Sequence, residues 1–300
     1  MHPLPPVPNG TPLALLRDRL PEVRGGSGVL AAPPEKLTHR LLAAGPLAVM
    51  RDVAGQYVQQ LGTVAVVPLY GFITQKPNAL TKFGWMTSAE QFVQVNEALA
   101  SDNGVSAIVW DVDSPGGSVF GLPEAADKLM SLRGRKKVYA VANPLMASAA
   151  YWLACCADKV FASPSSLTGS IGVYVVHDDY SKANEIAGVK PTYISAGKYK
   201  TDGNPDEPLS ESARASIQAG VDGTYAAFVA AVSRARGVTP AKVRAGFGQG
   251  DVLQAGPAVA AGLADKVASL AGVLAFLKAG AADNPLMARA AARQRHAESR

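Results

Sequence analysis

Ala107-Ile108-Val109-Trp110-Asp111-Val112, running straight into Asp113-Ser114-Pro115-Gly116-Gly117-Ser118, is the stretch on which the fold turns. Its first six residues are a short apolar run of the kind buried on both faces of a sheet. A glycine turn follows, then a helical pattern from Leu122 to Arg133. The rhythm repeats at once, with a strand over Lys137–Ala142 (KVYAVA) and a helix over Ala147–Ala157. Upstream, residues 63–74 (TVAVVPLYGFIT) read as a strand interrupted by Pro68, and Ser88 reads as the N-cap of a helix reaching Ala100. Downstream, Val160–Ala162, Ile171–Val176 and Thr192–Ser195 read as short β pieces. Ser210–Ala235 is helical in pattern, and alanine-rich helix with turns at Gly246–Gly250 and Gly256–Pro257 follows. Alternation of this kind predicts an α/β fold with a largely parallel sheet flanked by helices.

The ends differ from this middle. Residues 1–40 hold eight of the 21 prolines and no sustained periodicity, so an irregular arm is expected there. A mixed apolar pattern over Leu37–Gln60 suggests helix. The main domain is expected over residues 41–280, and a basic, disordered tail over 281–300. Apolar residues make up 48% and charged residues 18%, the balance of an ordinary globular chain. The net charge of +5 is modest and concentrated towards the ends, with no basic stripe interleaved with aromatics, which argues against nucleic-acid binding. Val138–Ala157 carries no charge and is long enough to span a bilayer, but Pro144 would break a continuous helix. A buried strand, turn and helix explain it better, and Met1–Gly10 has no signal-peptide pattern. The adjacent Cys155 and Cys156 are expected to be buried thiols. No metal-ligand spacing is present, and no cofactor is expected.

Three elements can carry chemistry. Paired Gly116 and Gly117 at the end of a strand let the backbone aim N–H groups into a cleft, as an oxyanion hole requires. A plain tight turn would use the same residues. Met146-Ala147-Ser148-Ala149-Ala150-Tyr151 places a serine among small residues at a helix start, where a substrate backbone can approach and negative charge is favoured; a lone serine there is more often an N-cap. Gly197-Lys198-Tyr199-Lys200 offers lysines that serve as a base only when neutral, which needs burial or nearby positive charge.

In this order, DSPGG (113–117), Ala147-Ser148-Ala149-Ala150-Tyr151, then 157–173 (ADKVFASPSSLTGSIGV) and Gly197-x-x-Lys200 resemble the S49 family of serine peptidases. That family includes signal peptide peptidases of the SppA type and the capsid-assembly proteases of tailed phages. The resemblance runs from about Thr63 to Ala268. It implies a ClpP/crotonase-like fold, Ser148 as nucleophile, Lys200 as general base and Ser170 as the residue that orients the lysine. It also implies an oxyanion hole from Gly116 or Gly117 with the amide of Ala149. Alanines 149 and 150 stand where the family usually has glycine, so any positive-φ requirement there would be strained.

Lys200–Leu209 and His177–Ser181 resemble the phage-type branch. This implies a protein substrate such as a scaffold or capsid protein, a cytoplasmic setting without a membrane anchor, and a homo-oligomer. In single-domain members, ring assembly can bring the lysine from a neighbouring subunit. Degradation of signal peptides is the alternative role. Three rival readings stay open. His177, 29 residues after Ser148, could complete a triad with Asp178, Asp179 or Asp202. A crotonase-like acyl-CoA enzyme would use the glycine pair alone. An inactive assembly protein would keep only the fold.

Overall fold

The computed structural model describes residues 13–15, 58–82 and 84–282. Ten strands form one sheet: β1 (Leu13–Leu15), β2 (Gln59–Leu61), β3 (Val64–Thr74), β4 (Met86–Ser88), β5 (Ala107–Ser118), β6 (Lys137–Ala147), β7 (Lys159–Ala162), β8 (Leu167–Gly169), β9 (Val252–Gln254) and β10 (Lys266–Val267). Nine α-helices accompany it among the described residues: α1 (Ala79–Lys82), α2 (Ala89–Ser101), α3 (Leu122–Met130), α4 (Ala149–Ala154), α5 (Ser181–Ile186), α6 (Glu211–Arg236), α7 (Pro240–Gly246), α8 (Ala255–Ala261) and α9 (Leu270–Ala282). The central order is β10-β7-β6-β5-β3-β2, and every neighbour in it is parallel except the β2–β3 pair. β1 joins β5 and β9 joins β8, both antiparallel. This is the α/β architecture with a largely parallel sheet that the strand–helix alternation implies.

Each helix forms for a local reason. Ser88 caps α2 by accepting from the amide of Gln91, and Phe92, Val95 and Leu99 then repeat at helical spacing on the buried face. Ser210 caps α6 in the same way through Ala213, and Gly237 closes it in the left-handed region at φ 64°. Trp110 on β5 packs edge-on against Phe92 and donates from its indole to Asn96 at 2.6 Å, so its one polar atom is satisfied. Trp152 of α4 stacks on Phe228 of α6 with ring centroids 4.4 Å apart, which joins the helix after Ser148 to the outer layer. Arg133, just past α3, donates to the carbonyls of Cys155, Cys156, Ala157 and Ala235, tying together the C-terminal ends of α4 and α6. Both cysteines are free thiols and buried, as their apolar setting implies.

Several local expectations change. β5 does not stop at Val112: it runs through Gly116 and Gly117 to Ser118 and stays paired with β3. What reads as a turn is a strand carrying register shifts, between Tyr70 and Phe72 on β3 and between Val112 and Ser114 on β5. Glycine is needed because a Cβ on Gly117 would lie 2.1 Å from the Ile73 carbonyl oxygen. Ile171–Val176 and Thr192–Ser195 are not strands; the strand in this region is Leu167–Gly169. Apolar residues alone do not make a ladder, and these segments leave the sheet edge. Gly256 and Pro257 sit in the first turn of α8 rather than in a turn of their own, a position where proline loses no hydrogen bond. Gln59–Leu61, at the end of the expected Leu37–Gln60 helix, is strand β2, and Leu13–Leu15 within the proline-rich arm is strand β1. The rest of the arm, the rest of that helix and residues 283–300 lie outside the described residues. Val138–Ala157 folds as strand and helix, and no helix among the described residues is long and apolar enough to cross a membrane.

Candidate active site

Ser148 ends β6 and begins α4 with φ 56° and ψ −120°, a conformation that an L-residue holds only when its surroundings enforce it. The enforcement is visible. Its N–H donates to Gly169 O at 2.7 Å, and its carbonyl accepts the first α4 bond from Trp152 at 2.9 Å. A sharp strand-to-helix turn of this kind presents a serine oxygen at the head of the helix. The residue is fully buried, and its Oγ has no hydrogen-bond partner among the described residues. Ser163, Ser166 and Thr168 also bury hydroxyls without a partner among the described residues, so what sets Ser148 apart is its strained backbone at the strand-to-helix turn.

Ala149 and Ala150 follow inside α4, in helical backbone and fully buried. The positive φ falls on Ser148 itself, so alanine at 149 and 150 carries no backbone strain. The N–H of Ala149 belongs to the first turn of α4, whose amides have no partner within the helix. Across from it, Gly116 has φ 107° and its N–H donates to Ser114 Oγ at 3.2 Å. Ser114 Oγ in turn donates to Gly71 O at 2.6 Å and so pins the irregular stretch of β3 to that of β5. The amide of Gly116 is thus engaged by Ser114, which leaves Gly117 as the glycine of the pair not held in this way. Ser114 is a site residue that sequence reasoning missed, although it stands in the quoted motif.

Ser170 sits directly beside Ser148. β6 and β8 are parallel with Ala147 opposite Gly169, so the two serines are the next residues on neighbouring strands. Ser170 has φ 55°, is buried, and donates its N–H to Asp251 O at 2.7 Å.

Lys200 is exposed, whereas Ser148 and Ser170 are buried. It lies in an exposed segment, and the apolar pocket expected around it is not formed there. That segment is organised around Asn204-Pro205-Asp206. Tyr180 N–H donates to Pro205 O, Asn184 to Asp206 Oδ1 at 2.8 Å, and the Tyr193 hydroxyl to the Asp206 carboxylate. Its apolar side chains face outward: Ile194 is 98% exposed and Ile186 81%, with Tyr180, Val189 and Tyr199 also exposed. His177 belongs here too, donating from Nε2 to Asn204 O at 3.0 Å, so that nitrogen is engaged by a backbone carbonyl rather than by a serine.

A second polar group, centred on buried Asp111, joins β3, β5 and β6. The Tyr70 hydroxyl donates to the Asp111 carboxylate, and Asn143 Nδ2 donates to Asp111 Oδ1 at 3.0 Å. Burial raises the Asp111 carboxyl above its usual range against the lowering effect of these two donors. Burial first, and the Asp111 charge second, push the Tyr70 hydroxyl well above its ordinary value. Asn143 precedes the Pro144–Ala147 stretch that ends at Ser148, so this cluster anchors the approach to the serine. Nothing in the sequence pattern marks it, because its members come from three separate strands.

The model of peptidase family S49 matches residues 131–283, a span that contains Ser148, Ser170 and Lys200. The chain belongs to peptidase family S49. Among its S49-type relatives, the capsid assembly protease C of Escherichia phage lambda is 34% identical over 70% of this chain and 47% of its own length. The head-tail preconnector protein GP5 of Enterobacteria phage P21 is 31% identical over 68% of this chain and 40% of its own. The chain thus spans less than half the length of these relatives. Among solved structures, an enoyl-CoA hydratase/isomerase from Marinobacter aquaeolei is similar with a TM-score of 0.47, at 12% identity over 75% of each chain.

Proposed function

We propose that this S49 chain is a serine endopeptidase in which Ser148 is the nucleophile and Lys200 the general base, acting on capsid or scaffold proteins of a phage. The observation that carries the proposal is Ser148 itself, buried and strained at the turn from β6 into α4, its Oγ without a hydrogen-bond partner among the described residues. In the first step neutral Lys200 Nζ takes the Ser148 proton as Oγ attacks the scissile carbonyl carbon. The resulting oxyanion is held by the N–H groups of Ala149 and Gly117. Collapse breaks the C–N bond, and the lysine ammonium gives its proton to the departing amine. Water then attacks the acyl-enzyme, with Lys200 again as base, and releases Ser148.

The lysine is supplied by a second copy of the chain. Exposure of Lys200 together with Ile186, Val189, Ile194 and Tyr199 supports this: such apolar side chains mark a surface made for a partner. Ser170, buried next to Ser148, then receives and orients the incoming Nζ. The phage substrate class rests on the two named relatives. The triad reading is less well supported, since His177 is occupied by Asn204.

Mixing tests the arrangement. Ser148→Ala and Lys200→Ala chains, each silent alone on an unfolded protein substrate, should recover activity when denatured and refolded together, because one supplies the base and the other the serine. Activity in Lys200→Ala alone would refute the dyad, and failure of the mixture to recover would place the base within one chain.

A further inference from the structure

β5 has two edges, and their occupants change at the point where the site is built. Along one edge β3 stays paired to the end, with Phe72 opposite Gly116 and Ile73 opposite Gly117. Along the other edge β6 is paired only as far as Ser114 opposite Met146. Beyond that, β6 runs to Ala147 and turns at Ser148 into α4. The edge that β6 vacates does not stay open. Leu13–Leu15 takes it, antiparallel to β5, with Leu13 opposite Ser118, Ala14 opposite Gly117 and Leu15 opposite Gly116. Because β3 already holds the opposite edge of the same glycines, β1 must lie on the edge where Ser148 stands.

A peptide cut at Ser148 has to lie extended along this edge. An unpaired strand edge offers a row of main-chain donors and acceptors to an added strand, whatever its side chains. This edge is also the one whose Gly117 amide faces the reacting carbonyl in the mechanism above. The direction of β1 agrees with such a role. From Leu13 to Leu15 the chain passes from the far end of β5 back towards the level of Met146 and Ser148. That is the sense in which the residues N-terminal to a scissile bond approach a nucleophile.

We propose that Leu13–Leu15 is a resident strand in the substrate groove of this chain, an internal occupant that extended peptides must displace. The inference rests on the reading of Ser148 as the nucleophile, which makes this edge the substrate edge. The ligand class of the groove is an extended peptide, and the occupying sequence, Leu-Ala-Leu, is small and apolar. A tethered segment competes at an effective concentration of about millimolar, enough to hold off a free peptide of ordinary affinity. Among the described residues three are paired, so the occupant is displaceable by a better or longer strand.

The test uses the full chain with Ser148→Ala, so that nothing is cut, with and without Leu13→Pro and Ala14→Pro together. Successive N–H groups of a strand point to opposite sides, so the two prolines remove at least one donor to β5 whichever side faces it. The probe is a fluorescein-labelled synthetic peptide of residues 10–19, followed by anisotropy, with thermal melting to show that both chains are folded. The expected result is binding at least tenfold tighter to the proline variant, reversed by unlabelled peptide. Equal affinity for the two folded chains overturns the inference. Because the readout needs no catalysis, a chain that never cleaves but opens to the probe on proline substitution refutes the peptidase reading alone. In the Ser148-intact background, cleavage of a protein substrate that is unchanged by the prolines refutes the resident strand alone.

Discussion

Ser148 and Ser170 leave adjacent parallel strands at the same level, and both do so with a left-handed backbone, φ 56° and φ 55°. The N–H of Ser148 donates to the carbonyl of Gly169, so the turn of one strand is clamped to the last residue of the other. Two strained serines side by side are costly for folding alone, and together they form the floor of the site.

The strain at Ser148 makes a testable trade. Ser148→Gly places in this position the residue that tolerates it best and removes a buried hydroxyl without a partner. It should abolish peptidase activity while leaving the chain as stable as before or more stable by about 1 kcal/mol. Urea denaturation of both chains checks this, and a clear loss of stability would show that the hydroxyl has a structural role.

Arg133 is expected to be a keystone of the helical layer. Its guanidinium serves four carbonyls, three from the end of α4 and one from the end of α6. Arg133→Ala leaves them buried without donors and should cost about 2–4 kcal/mol. Arg133→Lys should recover less than half of that, since one ammonium cannot reproduce the planar fork. Thermal melts of the three chains decide it.

Asp111 and Asp265 should pull stability in opposite directions with pH. Burial raises the folded Asp111 carboxyl, so its contribution is fully present below the unfolded carboxylate value and is lost as pH rises through the folded value. Asp111→Asn should therefore be less sensitive to rising pH in that window than the wild type, as read from urea midpoints at successive pH values.

At Asp265 burial also pushes the carboxyl up, but the Val160 amide, Arg236 and Lys159 outweigh it and hold it below the usual range. Its contribution is present above the unfolded value and is lost as pH falls through the folded one. Asp265→Asn should cost about 2–3 kcal/mol at neutral pH, less than a fully buried pair because the carboxylate is partly solvated. The deficit relative to wild type should shrink as the pH is lowered, and a deficit independent of pH would contradict the ionic account.

The parallel sheet was legible because apolar runs at Thr63–Thr74, Ala107–Val112 and Lys137–Ala142 alternate with helical pattern, and burial on both faces writes that pattern into the chain. Ser148 was singled out only because its motif stands in the order of the S49 resemblance; small residues at a helix start read as readily as an N-cap. Pairing was less so. The extension of β5 through Gly117 depends on contact with Ile73, which composition does not report. The Tyr70–Asp111–Asn143 cluster depends on three strands meeting. Residues 171–195 contain apolar pieces that mimic strands, yet Ile171 is buried in the core without entering the sheet, and Tyr193 and Ile194 face outward. β1 was invisible, since three residues among prolines carry no period.

Reaction of Ser148 itself tests the central claim most directly. The full chain would be incubated with a peptidyl fluorophosphonate, digested and mapped by mass spectrometry, beside the Ser148→Ala and Lys200→Ala chains. The account predicts one adduct, on Ser148, absent from Ser148→Ala and reduced at least a hundredfold in rate in Lys200→Ala, in line with the loss of a general base. Adducts on another serine, or labelling of Ser148 at an undiminished rate without Lys200, would contradict it.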